Sequence, residues 1–192
     1  MKQTTDKIII GSEEWCAFPG LGIPAIKARV DSGAKTSSIH AFNIHKLRRN
    51  GESWISFEVH PLQGDRRTVI RCEQPILDKR VVKSSSGIAE TRYVIAAKIK
   101  VGDEAWDIEI TLANRDSMGY RMLLGREAMS GRMLVDPSLS LCLGEMPRQK
   151  LDDYYGTKKN QRSGLRIGLL ASNQDLYSNQ RILEAGEERG HE

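Results

Sequence analysis

The chain has 192 residues, 39% of them hydrophobic and only 6% aromatic, with a formal net charge of +4. That is enough for one domain of ordinary size with an appendage, and it allows a packed core built mostly of Ile, Leu, Val and Ala. The mildly basic balance, with a pI near 9.0, permits a nucleic-acid or ribosome-associated partner without requiring one.

Period-2 alternation dominates the first three quarters of the chain. KIII at 7–10 reads as a short strand. PAIKARV at 24–30 sets Ile26, Ala28 and Val30 against Lys27 and Arg29. ISFEVHPL sets Ile55, Phe57 and Val59 against Ser56, Glu58 and His60, and RRTVIR at 66–71 is a further strand candidate. YVIAAKIKVGDEAWDIEITL is the clearest hairpin: Ile95, Ala97, Ile99 and Val101 lead into Gly102-Asp103, and Trp106, Ile108, Ile110 and Leu112 return. GREAMSGRM, from Gly125, suits one short helix. SLSLCLG places Leu139, Leu141 and Leu143 on one face of a last strand. Many short strands punctuated by Gly, Pro and Asp predict an all-β sandwich or barrel.

Beyond residue 144 the pattern changes. Residues 145–164 are polar, basic and aperiodic, and read as a linker. LRIGLLA is then a continuous apolar run, followed by helical spacing in NQRILEAGEERG. One strand and one helix cannot bury both of their apolar faces, so residues 165–192 read as the opening of an α/β unit. Cys16, Cys72 and Cys142 are widely spaced and lack CxxC spacing, which argues against a disulfide framework or a zinc knuckle. No apolar run has the length of a membrane-spanning helix, and MKQTTDKIII lacks the form of a signal peptide. A cytoplasmic protein with no membrane partner is expected.

The stretch ARVDSGAKTSSIHA, residues 28–41, carries the chemistry. It is not a phosphate-binding loop. Such a loop needs GxxxxGK[ST], and here Ala34 separates Gly33 from Lys35, while Ala28 stands where the first glycine belongs. The alternative is an aspartate at a strand end, entering a tight turn. Asp31 follows the apolar Val30, Ser32 supplies a hydroxyl, and Gly33 allows close backbone approach. Downstream, MLLGREAM offers two apolar residues, a glycine and a short helix.

With that company the chain resembles the retropepsin-like aspartic proteases. The matching pieces, in order, are IKARVDSGA, VVKSSSGIAETRYVI, MLLGREAM and SLSLCLG, across residues 7 to 144. The fuller string DSGAKTSSIHA is similar to the bacterial branch labelled "ATP-dependent zinc protease", found beside or fused to RimK-type ligases. The tail LRIGLLASNQDLYSNQRILEAGEERGHE resembles the first strand and helix of RimK-type ATP-grasp glutamate ligases. The resemblance implies a retropepsin-like acid protease barrel with one short helix over 1–144, a basic linker over 145–164, and an incomplete ligase-like piece over 165–192. It implies an aspartic-type endopeptidase, a hydrolase acting on a peptide or glutamyl tail in connection with ribosomal protein glutamylation.

The resemblance also assigns roles. Asp31 is the catalytic carboxylate, and Ser32, Gly33 and Gly125 support its turn. The flap spans Arg80 to Tyr93, with Ser86 and Gly87 reaching the substrate backbone; Lys35, Arg80 and Arg92 would meet substrate carboxylates. A chain with one D-[ST]-G supplies half of a two-carboxylate site, so a homodimer is expected. No cofactor is expected. Despite the zinc in the family label there is no HExxH, and His40, His45, His60 and His191 lack ligand spacing; His40 and His45 read as a solvated loop. The expected partners are a second copy, a peptide or glutamate-tailed protein with ribosomal proteins among the candidates, and a RimK-type ligase in cis or trans. A second reading is a non-catalytic β-barrel module that binds a ribosomal protein or guides an attached ligase. A third, RNA binding through HKLRRN and GDRR, lacks stacking aromatics.

Overall fold

The computed structural model describes residues 7–83, 87, 89–114 and 119–156. The expected β–α piece at 165–192 and the flap residue Ser86 lie outside these. Twelve strands and two α-helices occupy the described residues: β1 (Ile8–Ile10), β2 (Glu13–Phe18), β3 (Ile23–Asp31), β4 (Ser37–His40), β5 (Phe42–Arg49), β6 (Glu52–Val59), β7 (Ile70–Pro75), β8 (Asp78–Lys83), β9 (Ala89–Val101), β10 (Glu104–Ala113), β11 (Met122–Gly125), α1 (Arg126–Met129), β12 (Met133–Val135) and α2 (Arg148–Tyr155). The all-β expectation holds.

The largest sheet runs β10-β4-β11-β3-β2-β9-β8, and β10 also pairs with β9. The first six strands therefore close into a barrel, which removes most of the free edge; β8 stands outside it as an edge strand. The alternation read in the sequence sets the facing. In β3, Ile26 and Ala28 are buried while Arg29 is exposed. The β9–β10 hairpin pairs Val101 with Glu104 across Gly102-Asp103, and Gly102 has φ +58°, a left-handed geometry that suits glycine. Phe18, Ile23, Ile26, Ile39, Ile99, Ile110, Met122 and Leu124 are fully buried inside. Each side chain of this size stabilises the fold by about 1.5–3 kcal/mol relative to exposure.

Burial of Met122 and Leu124 places β11 between β3 and β4, parallel to the first and antiparallel to the second. A second sheet, β5-β6-β7, packs Ile55, Phe57, Val59 and Cys72 against the barrel. A third is the parallel pair β1–β12, which buries Ile10 and Met133 and leaves Ile9, Leu134 and Val135 exposed.

Several readings shift. SLSLCLG is not a strand. Leu141 has φ +53°, and Leu139 and Leu143 are exposed. The Cys142 and Leu143 amides donate to the Glu14 carboxylate instead of to a strand. The closing strand comes earlier, as β12. RRTVIR begins as a turn in which Asp65 accepts from Arg67 N and Thr68 Oγ1, so β7 starts at Ile70. Within the stretch read as a linker, α2 forms, and its Tyr155 hydroxyl binds both Ala25 N and Ala25 O on β3. His40 is buried on β4 rather than in a solvated loop, whereas His45 is exposed on β5.

Candidate active site

Asp31 is the last residue of β3 and is half-buried. The chain turns sharply after it. Gly33 N and Ala34 N both donate to Asp31 Oδ1, at 3.0 and 3.1 Å. This Asx turn fixes the carboxylate and directs charge-stabilising dipoles at one of its oxygens. Oδ2 has no hydrogen-bond partner among the described residues. A Cβ on Gly33 would lie 3.2 Å from Oδ1, so glycine leaves the carboxylate room to fold back onto the turn. The Ser32 side chain is exposed.

The turn is clamped from the side by the end of β11. Register places Gly125 opposite Asp31. A Cβ on Gly125 would lie 2.7 Å from Thr36 C and 2.8 Å from Ser37 N, so only glycine lets the two backbones touch. Four hydrogen bonds use that closeness. Gly125 N donates to Ser37 Oγ at 3.1 Å. Arg126 N donates to Ala34 O at 2.9 Å and Glu127 N to Lys35 O at 3.1 Å. The Arg126 guanidinium donates to Gly33 O at 2.9 Å. The Glu127 carboxylate also accepts from Thr36 Oγ1 at 3.2 Å and pairs with Lys35 at 3.6 Å. Every residue from 33 to 37 is thus tied to the strand-to-helix corner at 125–127.

The segment expected to be a flap is a hairpin: β8 and β9 pair from Asp78–Val94 to Lys83–Ala89. Gly87, at its tip, has φ +80°. The cations chosen from the sequence are all ion-paired. Arg80 binds Asp78 at 2.5 Å and also Glu109, Arg92 binds Glu90 at 2.7 Å, and Lys35 binds Glu127.

A family model described as retropepsin-like aspartic endopeptidase RimB, of the RimB-like family, matches residues 9–144. The chain belongs to this family. A probable alpha-L-glutamate ligase of Shewanella pealeana is 65% identical over 187 residues, covering 97% of this chain and 41% of that protein. One from Desulfotalea psychrophila is 62% identical over 192 residues, again covering 41% of its length. The chain therefore spans about two fifths of the curated relatives it matches. The crystal structure of a Legionella pneumophila protein of unknown function aligns with a TM-score of 0.60 at 28% identity, covering 71% of this chain and 98% of that one.

The RimB-like match ends at residue 144, just past a network that sequence reasoning missed. Glu14 is fully buried. It accepts from Gly11 N and Cys142 N at 2.8 Å and from Leu143 N at 3.3 Å, tying the family's last segment to the β1–β2 turn. Beside it Glu13 accepts from the Tyr120 hydroxyl. That bond, with help from Ser140 and Lys27, holds the Glu13 carboxyl below its ordinary value of 4.5 and raises the Tyr120 phenol. Paired glutamates before an aromatic are the only trace in the sequence, and they do not reveal that one is buried. The rings of His40 and Phe42 stack at 5.8 Å, and those of Phe42 and His60 at 4.3 Å. Among the described residues no group of three or more His, Cys, Asp or Glu converges to hold a metal ion, and no helix is long and apolar enough to cross a membrane.

Proposed function

We propose that the chain is the peptidase half of a larger protein, an aspartic endopeptidase whose site is completed by a second copy. The observation that carries this reading is the Asp31 turn: one carboxylate oxygen held by two backbone amides, the other left open. Two such carboxylates brought within about 3 Å cannot both ionise. One keeps a proton and polarises the scissile carbonyl; the other takes a proton from the attacking water. The tetrahedral intermediate collapses as the amine leaves with a proton, and no covalent link to the enzyme forms.

A two-fold arrangement is supported by the position of the exposed apolar residues. Ile9, Leu134 and Val135 lie on the β1–β12 pair. Just past β1, Ser12 O accepts from Val30 N at 3.0 Å, one residue before Asp31. A second copy covering this strip would bury apolar surface and bring the two aspartate turns near one axis.

The substrate we propose is a peptide or a glutamyl tail, the latter because relatives over this region are named glutamate ligases. The direct test is incubation of glutamate-tailed ribosomal protein with the wild-type chain and with Asp31→Asn, read by intact mass. Shortening by the wild type alone supports the reading. No shortening, or equal shortening by both, removes it. A second reading, a barrel that guides an attached ligase, is favoured by the ligase names of relatives longer than this chain. It expects Asp31→Asn to retain full binding and full guiding activity.

A further inference from the structure

The start of β3 carries an irregularity that the barrel does not resolve by itself. On one side, β11 pairs with β3 only from Ala28 to Asp31. On the other, the register with β2 shifts between Cys16–Ile26 and Phe18–Ile23, so Pro24 and Ala25 face the single residue Ala17. This is a β-bulge, and a bulge leaves a residue outside the ladder. Pro24 has no N–H to lose. Ala25 has both an N–H and a C=O, is only 1% exposed, and has no partner strand in either register. Buried backbone groups left without a partner are costly.

The partner comes from α2. Ala25 N donates to Tyr155 Oη at 3.1 Å, and the Tyr155 hydroxyl donates to Ala25 O. Burial pushes the phenol up to about 12, so the hydroxyl keeps the proton that the second bond needs. Tyr155 is the last residue of α2, and partly buried Leu151 lies one turn earlier on the same face. Arg148, Gln149, Lys150, Asp153 and Tyr154 are exposed. A helix of eight residues is not stable alone in water, so its order depends on this contact with β3. Gly156 then ends the helix with φ +61°. The RimB-like match stops at residue 144, which puts Tyr155 outside the family's own span.

We propose that α2 is a clasp: the Tyr155 hydroxyl occupies the β3 bulge as a strand residue would, and fixes the connecting segment to the barrel. The segment after residue 144 is then a rigid strap and not a free tether. Its anchor lies at the start of β3, six residues before Asp31, or about 20 Å along a strand. Whatever follows Gly156 therefore leaves the barrel from a fixed point remote from the aspartate turn, and that end of the molecule stays clear. The inference stands on the bulge and the hydroxyl alone and does not depend on the peptidase reading.

The test is amide hydrogen exchange followed by NMR on the full 192-residue chain, comparing wild type, Tyr155→Phe and Tyr154→Phe. Tyr155→Phe keeps the ring and removes only the hydroxyl. The Ala25 amide and the amides of Leu151 to Tyr155 are expected to be protected in the wild type. In Tyr155→Phe they are expected to exchange at least tenfold faster, while Ile99 and Ile110 in the barrel core stay as slow as before. Tyr154→Phe, which alters an exposed ring beside Lys150, is expected to change none of them. Trypsin gives a second reading: cleavage after Lys150 should be at least tenfold faster in Tyr155→Phe than in the wild type. Several results would overturn the proposal. One is an Ala25 amide that exchanges equally in wild type and Tyr155→Phe. Another is α2 amides that exchange in the wild type at the rate of an unstructured chain. A third is a rise in rate shared equally by Ile99 and Ile110, and a fourth is unchanged cleavage after Lys150.

Discussion

Replacing Gly125 with alanine tests the clamp that holds the aspartate turn. Gly125 has φ −81° and ψ 163°, an ordinary extended geometry, so alanine meets no backbone penalty. Whatever the variant loses comes from contact. The new Cβ would sit 2.7 Å from Thr36 C, 2.8 Å from Ser37 N and 2.9 Å from Thr36 O, all backbone atoms that cannot swing aside. Carbon atoms in comfortable contact are about 3.5–4.0 Å apart. The 36–37 backbone and the end of β11 must therefore part by about 1 Å. That stretches the Arg126 N–Ala34 O and Glu127 N–Lys35 O bonds, now 2.9 and 3.1 Å, beyond hydrogen-bonding range. Overpacking of this kind costs about 1–3 kcal/mol, and each lost hydrogen bond adds about 1 kcal/mol, so the expected destabilisation is about 3–5 kcal/mol. The assay is urea unfolding, with Gly33→Ala as a control whose closest contact is a movable side-chain oxygen at 3.2 Å. Where the variant still folds, a shift of this size at Asp31 should lower turnover by about a hundredfold. Stability of Gly125→Ala within about 0.5 kcal/mol of wild type would refute the reasoning.

Three further outcomes follow from the buried groups. Glu14→Gln keeps the shape but replaces one acceptor oxygen by a donor facing backbone N–H groups, so urea unfolding should show a loss of about 1–3 kcal/mol; an unchanged midpoint would contradict the role given to Glu14. Glu13 is held below its ordinary 4.5, so its folded-state pKa is depressed. Its contribution is complete above pH 4.5 and is lost as pH falls through the folded value. Tyr120→Phe should therefore lower stability at pH 7 and flatten the acid limb below pH 4.5, whereas an unaltered acid limb would count against the pair. Burial pushes the thiols of Cys16 and Cys72 up to about 12, while Cys142 is exposed. Iodoacetamide at pH 8 should then add one label to the folded protein and three after denaturation, counted by intact mass; rapid triple labelling of folded protein would contradict the burial.

The parts of the site that could be read from the sequence are those fixed by local chemistry. V-D-S-G-A announces a strand end and an Asx turn because those residues build it among themselves. The β9–β10 hairpin was legible because Gly102-Asp103 lies between two clean alternations. M-L-L-G-R-E showed an apolar strand and a helix start, but not that β11 would thread between β3 and β4, which depends on long-range burial of Met122 and Leu124. Ser37–His40 is buried throughout, so β4 carries no alternation to detect. SLSLCLG carries a convincing one, yet Glu14, more than a hundred residues away, takes its amides and prevents a strand. The ion pairs divide the same way: Arg80–Asp78 and Arg92–Glu90 lie two residues apart on one strand and were open to reading, whereas Arg80–Glu109 and Lys35–Glu127 form only through long-range packing.

The account turns on one carboxylate from each of two copies. Mixing wild-type chains with Asp31→Asn chains at fixed total concentration, under conditions that let copies exchange, measures this directly through cleavage of a glutamate-tailed peptide. Activity is predicted to fall with the square of the wild-type fraction, because only pairs with two aspartates turn over. Activity that falls in simple proportion to the wild-type fraction would show that each chain works alone, and would contradict the shared site.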